Sequence, residues 1–178
     1  MKQGTLLVAH PSQRVAPWHR SVILITEHTH MNTVGLILNH ASEHTLSQVM
    51  ASRQLECERD GMVYTGGPVN TSALVLIHTD TWYSSNTMQV APGMAISSDN
   101  LMLEKLAMGD YPRWWRFCVG VSGWAPGQLA AEIAGVHTGT PGWLTTPATT
   151  ELVWRWDGEK QWHQAVNACA TEFVAANF

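Results

Sequence analysis

Three short apolar runs near the start of the chain most limit what it can fold into. They are Thr5 to Ala9 (TLLVA), Ser21 to Thr26 (SVILIT) and Thr33 to Leu38 (TVGLIL). Each is rich in Val, Ile, Leu and Thr and is bounded by turn-forming residues, which is typical of buried strands rather than helices. SVILIT shows no alternation of apolar and polar residues, so we expect both faces of its strand to be covered.

The link between the second and third runs, His28 to Asn32, has the length of a hairpin loop. It predicts that these two strands pair antiparallel. Glu27 and His28 would then lie at the hairpin end of the pair, and Asn39 would lie at the opposite end. All three are candidate binding residues, but this topology does not require them to form one site.

The rest of the chain contains further strand-like runs and a few helices. Strands are predicted at residues 62–65, 73–78, 87–90, 94–97, 114–121 and 142–146. Helices are predicted at 45–53 with Thr45 as N-cap, at 99–108 with Ser98 as cap, at 126–135 with Pro126 in the first turn, and at 159–174. The segments 40–44 and 122–124 are predicted to be loop and turn. Roughly eight strands and four helices, not strictly alternating, predict one mixed α+β domain over residues 1–178.

Charge and aromatic content limit the partners that the chain can bind. Ten Lys and Arg against fourteen Asp and Glu give a net charge of -4, and the densest basic group is Arg113 to Arg116. Binding of nucleic acid depends on clustered cations that replace counterions, so we do not expect a nucleic-acid partner. Nine Trp with only 13% charged residues indicate an aromatic core, or a partly apolar surface that engages a protein partner.

Apolar runs and cysteines indicate the compartment. No run is long enough to span a bilayer, and the first apolar run is too short for a signal peptide, so we expect no membrane association. The three cysteines, Cys57, Cys118 and Cys169, are widely spaced and form no C-x-x-C motif. This pattern suits a reducing interior and predicts a cytoplasmic protein.

No stretch of the chain supplies a complete metal or catalytic motif. His40 to His44 has the H-x-x-E-H spacing of inverted zinc peptidases, but it follows a strand, precedes a helix cap and lacks a later third ligand. His28 and His30 on one turn are more often solvated than bound to metal. Ser122 fails the G-x-S-x-G pattern because Trp124 occupies the last position. We therefore predict no catalytic residue, metal or cofactor, and whether the chain is an enzyme stays open, with the residues favouring a non-enzyme.

A second set of residues carries the alternative that the chain binds a small molecule or is an enzyme. Gly66 and Gly67, before Pro68, follow a strand and could present backbone N–H groups to an anion, although a tight structural turn is the favoured interpretation. Glu27, His28 and His78 could form a general acid–base set if they converge. Otherwise they would satisfy backbone groups at strand ends.

The order of the motifs resembles a known family. Between about residues 5 and 150 the chain reads LLVAHP, SVILITEH, VGLILN, YTGGPV, LVLIH, GVSGWAPGQLAAEI and WLTTPA. This order is similar to that of the AlgH/YqgE family of small bacterial proteins. The resemblance implies a compact α+β domain in which a mixed, mostly antiparallel, bifurcated sheet curls into a pseudo-barrel with flanking helices. It also adds Gly123, Trp124 and Gln128 to the candidate binding residues, because they match the family's motif positions.

The chain departs from the family pattern at four places. Thr26 stands where the family usually has Cys, His40-Ala41 replace Lys-Pro, Ala73 replaces a frequent Arg, and residues 136–141 resemble an insertion. Members are often labelled transcriptional regulators, which gives a third and weaker alternative. The interpretation we favour is a cytoplasmic, non-enzymatic binding or regulatory protein that acts through a protein partner.

Overall fold

One ten-stranded sheet organises the computed structural model, which describes residues 1–177. Eight strands follow one another in the order β10-β1-β2-β3-β9-β6-β8-β7, and β4 and β5 branch from this path. The strands are β1 (Thr5–Ala9), β2 (Val22–His28), β3 (Thr33–Ile37), β4 (Ala41–Thr45), β5 (Met62–Thr65), β6 (Val69–His78), β7 (Met88–Ala91), β8 (Met94–Ser97), β9 (Trp115–Trp124) and β10 (Trp143–Pro147).

The sheet divides at β9, because this long strand has two different partners along one edge. On one edge β6 runs antiparallel to it. On the other edge β5 pairs parallel with its first half, and β3 pairs antiparallel with residues 122–124. The predicted pairing of β2 with β3 as an antiparallel hairpin is confirmed, as is the mostly antiparallel, bifurcated sheet.

The sheet curls until β7 returns to the start of the chain. The Gln3 side chain donates a hydrogen bond to the Gln89 carbonyl at 3.2 Å. A Cβ atom added at Gly4 would lie 2.7 Å from the Val90 carbonyl oxygen, and Gly4 has a φ of +78°. The close approach therefore requires glycine, and it closes the sheet into a half-barrel, which confirms the predicted α+β architecture.

Four α-helices and one π-helix flank the sheet within residues 1–177. They are α1 (Leu46–Ser52), α2 (Asn100–Ala107), α3 (Gln128–Ala134), the π-helix (Glu151–Arg155) and α4 (Gly158–Asn177). The predicted N-cap of α1 is confirmed, because Thr45 and Gln48 form a reciprocal capping box. The N-cap of α2 is Asp99 and not Ser98, because the Asp99 carboxylate accepts from the Met102 N–H at 3.0 Å.

Alternation along the central strands separates two apolar clusters. Ile77 and Cys118 face the inside of the half-barrel. Leu76 and Phe117, one residue earlier on the same strands, face outward and are covered by α1 and α2. Because successive side chains of a strand point to opposite faces, residues 75–78 of β6 and 116–118 of β9 are buried on both sides.

Three further local predictions, besides the Ser98 cap, are wrong. Residues 41–45 form β4 rather than a loop, because they pair with β5. Residues 122–124 are not a turn but the end of β9, because they pair with β3. Pro126 precedes α3 instead of starting it, since Gly127 turns the chain in a left-handed conformation and the helix begins at Gln128. The π-helix was not predicted.

Arg116 is buried, with 5% of its surface exposed, and joins β9 to the residue that follows β3 and to residues 153–157. Its Nη1 donates to the Leu38 carbonyl at 2.7 Å and to Asp157 at 3.2 Å. Its Nε donates to the Val153 carbonyl at 3.1 Å, and Nη2 donates to the Trp156 carbonyl at 2.5 Å. One of the two cations of the densest basic group therefore serves the interior and is not available to a nucleic acid.

We expect Arg116→Met and Arg116→Lys each to lower the free energy of unfolding by about 3–5 kcal/mol. Met leaves the buried carbonyl oxygens and Asp157 without a donor, and the single ammonium of Lys cannot replace the guanidinium fork. Urea unfolding followed by circular dichroism measures the change. Arg113→Met, at an exposed position, is the control, and equal stability of all three variants would contradict the assigned role.

Candidate functional site

The sheet places four of the predicted binding residues at one end. His28 pairs with Thr33, and Thr33 pairs with Trp124, so these three lie in one row across β2, β3 and β9. The His28 Nδ1 and the Thr33 Oγ1 are 2.7 Å apart, which shows that both side chains point to the same face. Glu27 and Gly123 lie one row earlier, on either side of Val34.

Gln128 joins this end of the sheet through α3. Its Oε1 accepts from the Ala125 N–H at 3.0 Å, and its Nε2 donates to Glu132 Oε1 at 3.0 Å. Gln128 and Glu132 lie four residues apart and so share one face of α3. The structure thus brings His28, Trp124 and Gln128 together with the backbone of Gly123. The side chain of Glu27, one residue along β2 from His28, points to the opposite face of the sheet.

Glu132 fastens α3 to two strands. Its Oε2 accepts from the Trp124 Nε1–H at 3.0 Å and from the Trp143 Nε1–H at 2.8 Å. Trp18 completes the group, with its ring centroid 6.0 Å from that of Trp124 and 5.7 Å from that of Trp143. We call Trp18, Trp124 and Trp143 the tryptophan cluster.

Sequence reasoning missed Glu132, Trp18 and Trp143 as site residues. Trp18 and Trp143 are far apart in the chain, and only the pairing of β1 with β10 brings Trp143 to this face. One local signal was present. The spacing of Gln128 and Glu132 places an amide and a carboxylate on one helical face directly after Trp124.

A cleft opens on each side of α3. The first, of about 630 Å³, lies between His28 and Thr145 of the sheet and Leu129 and Ile133 of the helix, and we call it the His28 cleft. The second, of about 480 Å³, is lined by Trp18, Trp143, Glu132 and the exposed His137. We call it the Glu132 cleft.

Gly66 and Gly67 lie in the short link between β5 and β6 and are pressed against β9. The Gly66 N–H donates to the Val119 carbonyl at 2.8 Å, so it is not free for an anion. A Cβ atom at Gly67 would lie 2.4 Å from both the backbone nitrogen and the Oγ of Ser122. Ser122, predicted as a turn residue, is instead buried in β9 and donates to the Gly66 carbonyl at 3.0 Å.

Asn39 lies at the opposite end of the hairpin, where the sequence placed it, and is occupied by backbone partners. Its Oδ1 accepts from the Val22 N–H at 2.9 Å. Its Nδ2 donates to the carbonyls of Arg20 at 2.9 Å and Gly158 at 3.0 Å. Asn39 therefore ties β2 to the start of α4 and takes no part in the site at α3.

His78 does not converge with Glu27 and His28. It pairs with Trp115 at the start of β9, whereas His28 lies in the row of Trp124 at the end of that strand. The nine-residue separation corresponds to roughly 30 Å of extended chain. The convergence that an acid–base set would require is therefore not met, because β2 and β6 run in opposite directions and end at opposite ends of the sheet.

The surroundings of His78 fit a neutral, structural imidazole. Its Nδ1 lies 2.9 Å from the Thr79 carbonyl, which fixes the proton on that nitrogen, and its Nε2 then accepts from Ser97 Oγ at 2.9 Å. Burial, assisted by the charge of Lys105, lowers the pKa of His78, and the hydrogen bond to Thr79 together with the Asp80 carboxylate opposes only part of this effect. The ring also packs edge-on against Trp82.

The described part of the chain contains neither a metal-binding cluster of side chains nor a helix suited to span a membrane. Residues 1–177 contain no group of three His, Cys, Asp or Glu side chains placed to hold a metal ion. His40 directly precedes β4 and His44 lies within it, so the two imidazoles do not share a helical face. No helix within the same residues combines the length and the apolar character that crossing a membrane requires.

Comparison with known proteins gives consistent matches. A family model described as AlgH-like matches residues 6–174. The UPF0301 protein of Methylococcus capsulatus is 32% identical over 166 residues, covering 92% of this chain and 88% of its own length. A UPF0301 protein of Stenotrophomonas maltophilia is 34% identical over 167 residues, covering 91% and 86%.

Solved structures match over the same length. The solution structure of the AlgH protein from Pseudomonas aeruginosa superposes with a TM-score of 0.77 at 23% identity, covering 98% of this chain and 93% of that chain. The crystal structure of a protein from Corynebacterium diphtheriae superposes with a TM-score of 0.70 at 25% identity, covering 92% and 85%. The first likeness is one of fold alone.

We expect Gly67→Ala to lower the free energy of unfolding by about 3 kcal/mol or more, because its Cβ would collide with the backbone of β9. Gly109→Ala is the matched control. Gly109 also has a positive φ, of +82°, but nothing lies within 4 Å of its Cβ position, so we expect a loss of only about 1 kcal/mol. Urea unfolding of both variants measures the difference, and equal losses would contradict the close contact.

We expect stability to fall as the pH drops below about 6.5, the pKa of His in an unfolded chain. Because the folded-state pKa of His78 is lower, the unfolded state binds the proton first, and folding loses up to about 1.4 kcal/mol per pH unit until the folded-state pKa is reached. Burial lowers the pKa of His40 as well, so part of the effect is shared.

Urea unfolding at pH 7.5 and pH 5 tests this expectation. The pH-dependent loss should be smaller in His78→Gln than in the wild-type protein, and unchanged in His44→Gln, which alters an exposed residue. A His78→Gln variant with the wild-type pH dependence would contradict the role of His78.

Proposed function

This chain belongs to the AlgH-like family, and we propose that it acts as a non-enzymatic binding protein that holds an apolar segment of a partner protein in the His28 cleft. The names of the relatives state no activity. The geometry of the cleft is the observation that supports it.

One wall of the His28 cleft is entirely apolar. Leu129, Ala130, Ile133 and Ala134 line it from α3, and their spacing places them along one face of the helix. Leu129 is buried, but Ala130 and Ala134 are exposed. Exposed apolar surface gathered in one groove is typical of a site that another molecule covers.

The shape of the cleft favours a protein segment over a free small molecule. Sites for small molecules cover most of the ligand surface. The His28 cleft has a volume of about 630 Å³ but is only partly enclosed. It suits a side chain or short segment that enters while the rest of its protein stays outside.

Charge at the rim favours an acidic residue next to the apolar anchor of the partner. Lys2 lines the cleft with its positive charge, whereas the chain as a whole carries a net charge of -4 with its histidines counted as neutral. Complementary charge at the rim of an interface speeds association and selects among partners. The proposed occupant is therefore an apolar segment flanked by Asp or Glu.

The alternatives receive less support from the structure. The separation of His78 from Glu27 and His28 removes the acid–base set that motivated an enzyme. The burial of Arg116 removes one of the two cations of the densest basic group, which weakens the case for regulation through DNA binding. The three free cysteines, two of them buried, suit the reducing cytoplasm in which we place the protein.

We expect a photo-crosslinking amino acid at position 130 to capture a specific partner in cells, because Ala130 lies exposed in the cleft wall. The same residue at position 51, exposed on α1, is the control. The captured protein should then bind the purified chain in calorimetry, and Ala130→Glu should weaken that binding at least about tenfold, while Ala51→Glu leaves it unchanged.

Two outcomes would contradict the proposal. One is capture of the same proteins from positions 130 and 51. The other is a captured protein whose affinity is unaffected by Ala130→Glu. Both Glu substitutions replace exposed Ala residues on helices, so the comparison does not depend on damage to the core.

A further inference from the structure

The Glu132 cleft lies across α3 from the His28 cleft and has a different chemistry. Its carboxylate accepts three hydrogen bonds, from the indoles of Trp124 and Trp143 and from the amide of Gln128. All three donors are uncharged. The ion pairs found within residues 1–177 do not include Glu132, so its negative charge has no cationic partner there.

One acceptor position of this carboxylate remains open. The two oxygens of a carboxylate offer about four lone-pair positions in total. Oε2 accepts from both indoles, whereas Oε1 accepts only from Gln128. A further donor can therefore bond to Oε1 without displacing any existing partner.

The walls of the cleft favour a cation in that position. Trp18 and Trp143 supply aromatic surface, and His137 is the one basic side chain among the residues that line the cleft, which include no Lys or Arg. An aromatic ring attracts a cation through its negative face. A carboxylate in a partly enclosed cleft concentrates negative potential in the same place.

From these contacts we infer that the Glu132 cleft binds an organic cation with N–H donors, an alkylammonium or a guanidinium, with Glu132 as its counter-ion. The N–H group donates to Oε1, and the aliphatic or planar part of the ligand lies against Trp18. This inference goes beyond the proposed function, because it concerns a second site and does not depend on a protein partner in the first.

The packing of the tryptophan cluster argues against a quaternary ammonium ligand. Recognition of such ligands uses several aromatic faces that surround the cation. Here the three ring centroids lie 5.7–6.2 Å from one another, and the rings of Trp18 and Trp143 meet edge-on. No cation fits between them, so binding depends on the carboxylate and on a ligand that can donate to it.

Two-dimensional NMR of the indole N–H groups tests the inference directly. The protein is titrated with methylguanidinium, with the neutral and nearly isosteric N-methylurea, and with tetramethylammonium. We expect methylguanidinium to shift the Trp124 and Trp143 indole signals in a saturable way and to bind at least about tenfold more tightly than the other two probes, because only it combines charge with N–H donors. Equal responses to methylguanidinium and N-methylurea, or no saturable shift, would overturn the inference.

A substitution at the rim of the Glu132 cleft tests ligand binding without removing the contacts that hold α3 in place. Because Glu132 also fastens α3, a variant at that position could lose structure as well as ligand. His137 is exposed and lines the cleft, so His137→Lys adds a competing cation without touching the core. We expect it to weaken methylguanidinium binding about fivefold or more, whereas Ala51→Lys, which adds the same charge on α1, leaves it unchanged. Equal binding by both variants would overturn the inference.

The same chemistry could come from a free metabolite or from an Arg side chain of a peptide. Agmatine and the peptide Gly-Arg-Gly carry the same guanidinium on different frames and distinguish the two sources. Tighter binding of agmatine supports a free amine or guanidine ligand, and tighter binding of the peptide supports an Arg side chain. Failure of both to compete with methylguanidinium would overturn the assignment of the cleft.

Discussion

The buried guanidinium of Arg116 ties residues 153–157, which lead from the π-helix into α4, to the sheet at β9. A charge removed from water is tolerated only when its donors are all engaged, and here they engage carbonyls at the end of β3 and in the π-helix. The chain between the π-helix and α4 is therefore fixed against the sheet. The Trp162 Nε1–H then bonds to the Ala9 carbonyl at 2.8 Å and seats α4 across β1.

With that side fixed, the division of the sheet at β9 decides where a site can form. β3 joins only the last residues of β9, which leaves the ends of β2, β3 and β9 side by side under α3. Glu132 holds the helix there through two indoles from different strands. The short helix α3 is held by this carboxylate and by the buried Leu129, and a cleft opens on each of its flanks, apolar on one side and anionic on the other.

The sequence was informative where structure is local and uninformative where it depends on strand order. Runs such as SVILIT carry their burial pattern in their own residues, and the Thr45 capping box lies within four residues. The contact of Trp143 with Glu132 depends on β10 pairing with β1, which no local pattern records. The same limit applies to His78. In the sequence its strand end resembles that of His28, but β6 and β2 run in opposite directions, so the two residues lie at opposite ends of the sheet.

The curl of the sheet also limits how much unpaired backbone its edges present. A flat sheet of this size would present two long rows of unpaired N–H and C=O groups, which invite edge-to-edge aggregation. Here the terminal strands, β7 and β10, have only four and five residues. β7 bends back to the start of the chain, and β10 ends in Pro147, which has no N–H to donate. A chain with 45% hydrophobic residues can therefore fold around an extended sheet and still offer neighbouring molecules little free backbone.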